Sequence, residues 1–378
     1  MQLWSGIPLE VFMISDKHLF NGSLFVLIFT GVTVAWGEAI GLTLFISHLG
    51  VRALPPGIII EALLSMIFIF SFEQLKGVVH DAILVVVLCV TGIGLLLFGK
   101  ELVQIGSDLG FGLYYATQRI MRDVLLLYVW NYVTSYYESH TRYLLSRLMW
   151  MTRIGVVIGG LVLVVLSLFF SVRDLVWIWG GALLVCGLSI GVFADEFQSI
   201  HHIEDRSVRS SSAVSIRFAS ALRSFFGSPM MRLASISAFC MMLILSVIYF
   251  RAAEVFWDNF STELSFLRWL AVIGSLFNLL VLPVQYILLP AIARSRYRKT
   301  ITDIYPIFTG LAFVSVMSVP VLLTASIADF ARSSLQISLY DVTQNQMKNT
   351  LPGSIRFWAH TFLDGIVEPV GRVVGGVV

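Results

Sequence analysis

The chain is poor in charge. Asp, Glu, Lys and Arg make up 13% of its 378 residues, about half of the roughly 25% usual in a globular domain. That shortage excludes a soluble protein of this length, whose surface needs more polar residues than these. It equally excludes a disordered chain, which is low in hydrophobicity and rich in charge. Lys and Arg number 25 and Asp and Glu 23, leaving +2. So small an imbalance does not steer a protein toward polyanions, which excludes a nucleic-acid partner. Cysteine is scarce, and Cys89, Cys186 and Cys240 all sit in apolar runs, so no disulfide framework is implied. The first 23 residues lack a basic start and a small-residue cleavage site, so they are not a signal peptide. There is no P-loop. Paired catalytic carboxylates, a metal cluster and a nucleophile–base motif are also missing, so no cofactor and no enzymatic chemistry are expected.

What the chain has instead is hydrophobicity, 57% of its residues. A spanning helix needs about 20 mostly apolar residues. Candidate spans are Leu24–Leu49, Ile58–Leu75, Ala82–Phe98, Gly110–Thr134, Ile154–Phe170, Leu175–Phe193, Leu233–Arg251, Trp269–Ile292, Tyr305–Ser326 and Phe330–Met347. An eleventh apolar segment begins near Trp358 and reaches Val378. Strand-like alternation is absent, so the spans are read as helices. The fold class expected is all-α: a polytopic membrane bundle with ten or eleven spanning helices, its main partner the lipid bilayer.

The long polar stretch Asp195–Arg232 splits this series after six spans. It contains His201-His202, read as solvated linker residues because no further metal ligand sits at helical spacing. Ala219–Phe226 within it has the pattern of a short surface-lying amphipathic helix. Six spans, a long loop and further spans describe a two-half transporter of the major facilitator kind. The expected organisation is 1–194 as the first half, 195–232 as a cytoplasmic linker and 233–378 as the second half. That architecture has twelve spans, so the chain is expected to be incomplete at Val378. Lys and Arg concentrate in the loops after even-numbered spans, with Arg332 counted in an odd-numbered one. The positive-inside rule then puts the N-terminus in the cytoplasm.

Ionisable residues inside spans are functional-site candidates by default. Glu38, in Trp36-Gly37-Glu38-Ala39-Ile40-Gly41, stands about half-way along the first span. It is expected to face the axis between the halves. Arg119, Arg122 and Asp123 form a second group in span four. The spacing of four lets Arg119 pair with Asp123. Arg122 lies on another line, free to offer an anion-binding fork to the cavity. Arg251 and Glu254 can pair at the rim of span seven. Asp364, Glu368 and Arg372 recur every four residues, a charged stripe that must face protein or water.

Three stretches together resemble the ATP/ADP translocase-type nucleotide transporters of plastids and intracellular bacteria, and more closely their divergent bacterial relatives. The first is Gly41-Leu42-Thr43-Leu44-Phe45-Ile46-Ser47-His48-Leu49-Gly50 with Leu54-Pro55. The second is Trp130-Asn131, Ser135, Glu138, Arg142-Tyr143 and Gly155, Gly159 and Gly160. The third runs from Leu351-Pro352 through Arg356, Phe362, Asp364-Gly365, Pro369 and Gly371-Arg372 to Gly375-Gly376. Glu138 and Arg142 are spaced for pairing on a helix, and the glycines let span five pack closely on its neighbour. Ser47 stands where the family carries a lysine.

The resemblance implies a major-facilitator-like fold in a bacterial inner membrane. It implies alternating-access transport of a small anion, ATP or ADP or another organic anion. The candidate substrate-binding residues are then Glu38, Arg119, Arg122, Asn131 and Arg372. Glu138, Arg142, Arg251, Glu254 and Asp364 are candidates for gating or structural pairs. Bacterial relatives often carry soluble C-terminal domains, so the alternative is a transporter-like sensor or scaffold that regulates such a domain.

Overall fold

A computed structural model of the chain describes residues 9–75, 79–135, 142–201, 229–260, 262–284, 298–340 and 362–377. The regular elements among them are helical. α1 is Leu9–Leu49, α2 Leu54–Leu75 and α3 Asp81–Gln104. α4, Leu109–Ile120, passes through a π-helical turn, Met121–Leu125, into α5, Leu126–Ser135. α6 is Arg142–Leu166, α7 Val172–His201, α8 Pro229–Asn259, α9 Glu263–Pro283 and α10 Arg298–Ser318. α11, Leu322–Phe330, continues as a π-helix over Ala331–Tyr340. A π-turn at Leu363–Val367 leads into α12, Glu368–Val377.

Helices follow from the apolar runs because backbone groups in hydrocarbon must be satisfied within their own segment. Among the described residues six helices are long and apolar enough to cross a membrane: Gly22–Leu49, Val51–Phe72, Asp81–Gln104, Val172–Val192, Met231–Asn259 and Glu263–Pro283. Trp150–Leu166 and Ile304–Ser318 are shorter apolar helices. The α4–α5 rod and the α11 rod are diluted by charges that turn inward. On α2 the outward residues Ile60, Leu63, Ile67 and Phe70 are exposed while Ile58, Glu61, Ala62 and Ser65 are buried. One stripe thus meets lipid and the other meets protein. The chain is an integral membrane protein.

Local chemistry sets the breaks. Gly50, at φ 80°, ends α1, and Pro55-Pro56 occupy the first turn of α2, where amides have no helical acceptor anyway. Thr262 and Ser265 form a capping box on α9. One boundary departs from the sequence reading. The apolar run Tyr305–Ser326 suggests a single span, followed by a short loop with Asp329, and Arg332, at the start of the next candidate span Phe330–Met347, is counted with that loop. The helix actually breaks at Val319-Pro320-Val321, where Pro320 has no N–H to donate. Hydropathy misses a turn made of apolar residues. Arg332 therefore lies inside a span and is 6% exposed. The linker expected at 195–232 lies outside the described residues from 202 to 228.

Close packing is carried by small residues. A Cβ on Gly31 would collide with the Thr152 carbonyl, and one on Gly155 with that of Ile28. α1 and α6 therefore touch backbone to backbone, and the Trp36 indole donates to the Gly159 carbonyl at 2.7 Å. Gly160 faces Ser275 and Ala271 of α9. Gly371 and Gly375 seat α12 on the carbonyls of Phe239 and Leu243 in α8. One apolar core, including Ile40, Leu88, Tyr128 and Trp179, binds α1 through α7. A second, including Ile248, Phe256 and Ala328, binds α8 through α11 and takes in Phe45, Ile58 and Tyr115 from the earlier helices.

Candidate functional site

Glu38 projects from α1 toward the α4–α5 rod and α11. Nη1 of Arg122 donates to its Oε1 at 2.7 Å, and Nη2 of Arg332 lies 3.5 Å from the same oxygen. Arg332 also grips Asp329, with Nη2 2.7 Å and Nε 2.9 Å from Oδ1. The Tyr249 ring of α8 carries two guanidinium groups, Arg119 at 4.1 Å and Arg332 at 4.6 Å from its centroid. Such stacking stabilises cations away from water.

A second cluster lies beside the first. Glu61 of α2, 1% exposed in its side chain, accepts from Arg372 Nη1 at 3.0 Å. Nε of Arg119 lies 3.8 Å from its other oxygen. Arg372 also pairs with Asp123. The sequence spacing suggested an Arg119–Asp123 pair, and this is a correction. The π-turn over Met121–Leu125 shifts the helical register, so Asp123 turns to Arg372 while Arg119 turns to Glu61. Arg372 of α12 thus finds its partners on α2 and the α4–α5 rod.

Glu61, Asp329 and the inward position of Arg332 were missed in the sequence. Glu61 lies four residues inside a candidate span, so the rule that singled out Glu38 applies to it equally. Asp329 fell in a supposed loop because the helix break was misplaced.

Counted together, Glu38, Glu61, Asp123 and Asp329 face Arg119, Arg122, Arg332 and Arg372. Four negative charges balance four positive ones. Stripping water from ions is costly, and only near-complete pairing offsets it. Nearby, Gln118 is 1% exposed, and its carboxamide has no hydrogen-bond partner among the described residues.

Glu38 and Arg332 open onto a cavity of about 70 Å³ that is also lined by Gly160, Tyr249, Phe256 and Asn278. Its walls come from α1 and α6 on one side and α8, α9 and α11 on the other. A ligand of drug size needs roughly 300–1,000 Å³, so this conformation is contracted around its centre. Arg153 of α6 joins the two sides, donating to Asn278 at 2.5 Å and to the Ser334 carbonyl at 3.4 Å. At one end of the bundle His48 makes another junction. Its Nδ1 lies 2.9 Å from Ser47 Oγ and 3.7 Å from Glu263 of α9, while Arg173 donates to Nε2 at 2.9 Å.

The remaining candidates stand apart. Arg251 and Glu254 pair at 2.8 Å with side chains 41% and 37% exposed, a rim contact. Glu138 lies outside the described residues, as do the side chains of Asn131, Arg142 and Asp364.

No family model matches the chain, and no curated protein matches it. Solved structures do. A point-mutant form of the nucleoside transporter NupG superposes with a TM-score of 0.62 at 12% identity, covering 95% of this chain and 90% of that one. The unmutated NupG gives 0.60 at 13%, covering 95% and 89%. The POT family transporter PepTSo gives 0.55 at 12%, again covering 95% and 89%. The chain therefore shares the all-helical fold of these structures. These likenesses support the fold and do not by themselves assign the chain to the ATP/ADP translocase family.

Proposed function

We propose that the protein is a secondary transporter working by alternating access, and that its substrate is a small organic anion of low charge. The observation that carries this reading is the balanced charge cage. Glu38 sits between Arg122 and Arg332, on the wall of a cavity shared by earlier and later helices. An incoming carboxylate or phosphate replaces Glu38 between the two guanidinium groups, and they present the planar forks such groups suit. Release of Glu38 loosens the tie between α1 and α11, which lets residues 1–194 rock against 233–378 about the linker 195–232. The fold neighbours are named as a nucleoside transporter and a POT family transporter, which supports a small organic solute as cargo.

The finer expectation of ATP or ADP fares less well on electrostatics. Among the described residues the ion pairs given above match four carboxylates with four arginines, so these pairs leave no arginine of their own over. A polyanionic nucleotide therefore leaves uncompensated charge in a site where charge is costly. A cytoplasmic N-terminus belongs to the same proposal, supported by the loop charges, and so does a bacterial inner membrane, which rests on the family resemblance alone.

The test is uptake by purified protein in proteoliposomes. Nucleosides, mononucleotides, ATP, ADP and simple carboxylates are compared, for wild type and Glu38→Gln. The expected outcome is uptake of a monovalent anion by wild type and none by the folded variant. Exchange of ATP for ADP that ignores Glu38→Gln overturns the reading. Saturable binding without flux favours the sensor alternative.

A further inference from the structure

We infer that the cleft between α3, α4 and α7, on the perimeter of the bundle, is a binding site for one anionic phospholipid. It encloses about 600 Å³, and its lining includes Leu96, Leu97, Lys100, Arg173, Trp177 and Leu184.

The two ends of the cleft differ in chemistry. The mouth holds Lys100 and Arg173. The Lys100 ammonium lies 4.0 Å over the Trp177 ring, and the Arg173 guanidinium lies 2.9 Å from His48 Nε2. Among the described residues neither cation has a carboxylate partner. Asp174, also at the mouth, is engaged in capping α7, accepting from Ser171 Oγ at 2.6 Å and from its backbone N–H at 3.3 Å. Two cations less this one carboxylate leave a single positive charge among the lining residues. A phosphodiester carries the single negative charge that neutralises it.

The deep end is apolar, with Ile93, Leu96, Leu97 and Leu184. Gly180 and Gly181 keep its α7 wall open. A Cβ on Gly181 would meet nothing within 4 Å, and one on Gly180 only Leu96 Cδ1 at 3.8 Å. From Arg173 to Leu184 a helix rises about 16 Å at 1.5 Å per residue. That is about half of the roughly 30 Å hydrocarbon thickness, the depth of one leaflet. Leu97, Trp177 and Leu184 are 46%, 47% and 51% exposed, so the cleft opens sideways along the faces that meet lipid. A molecule with one anionic head and an apolar tail, arriving within the bilayer, matches charge, depth and entrance together. Trp177 and the snorkelling Lys100 mark the headgroup level.

The experiment uses the full chain in phosphatidylcholine vesicles containing a minority of spin-labelled phosphatidylglycerol, and reads the motionally restricted lipid. Wild type retains labelled phosphatidylglycerol in preference to labelled phosphatidylcholine. Lys100→Gln with Arg173→Gln lowers that preference roughly 30-fold, at about one kcal/mol per cation near the surface. Gly181→Leu, which fills the cleft and keeps both cations, removes the excess of restricted phosphatidylglycerol over restricted phosphatidylcholine. Lys100→Gln alone gives up only the contact with the Trp177 ring and repeats the test, with a several-fold loss, if the double variant does not fold. An unchanged preference in Lys100→Gln overturns the proposal. So does displacement of the lipid from wild type by inorganic phosphate, which would make this a site for a soluble anion.

Discussion

Two carboxylates on neighbouring helices are each approached by two arginines, yet they differ in kind. Glu61 is sealed, its side chain 1% exposed, and it ties α12 and the α4–α5 rod to α2. Glu38 is 30% exposed in its side chain and faces the central cavity. The same ion pairing serves opposite ends. Where water and substrate are excluded, the pair is a clasp whose loss strands buried charge. Where a cavity opens beside it, a ligand of the same sign can exchange for the carboxylate. On the proposed function, access rather than residue type separates the structural charge from the functional one.

Replacing Glu61 with Ala breaks this comparison most severely. It leaves Arg119 and Arg372 without their shared partner, and losing one side of a buried pair costs about 3–5 kcal/mol. The purified variant is expected to melt far below wild type. Next comes Gly155→Val, whose added carbons meet the Ile28 carbonyl. Overpacking of this kind costs about 1–3 kcal/mol, read as a lower Tm that leaves the charge cage intact. Glu38→Gln comes third in stability and first in function. Its amide still accepts from Arg122, so the loss is about 1–2 kcal/mol while uptake disappears. A Glu38→Gln protein that melts as low as Glu61→Ala makes both carboxylates clasps and sinks the contrast. Arg251→Gln is the smallest change. It removes an exposed pair worth about 0–1 kcal/mol, and both melting and uptake should stay near wild type.

Much of this was legible in the chain. Glu38 stood out because nothing near the middle of an apolar run can snorkel. Arg122 was separated from Arg119 by helical phase alone, and the two do turn to different carboxylates. The glycines of α6 signalled close packing, and Gly155 and Gly159 lie against α1 and Gly160 against α9. The failures share a cause. Hydropathy averages over a window, so it smoothed across Val319-Pro320-Val321, left Asp329 between spans and put Arg332 at a span's edge, where it was counted with the loop. Helical spacing assumes an unbroken α-helix, so the π-turn after Arg119 redirected Asp123 unseen. Glu61, close to a span's end, was passed over although the rule for intramembrane charge covers it.

The sequence by itself determined that this is a membrane bundle. Too few charges and long apolar runs allow no other solvent, and hydrocarbon allows no other backbone for such runs. It also marked Glu38 and the arginines of span four as costly and therefore purposeful. Only the tertiary structure decided which charge meets which. Glu38 and Arg332 are 294 residues apart along the chain, and Glu61 and Arg372 are 311 apart. Pairing over such distances depends on helix phase, π-turns and the glycine contacts that bring backbones together. It also depends on how much water reaches each pair, and no local pattern in the chain records that.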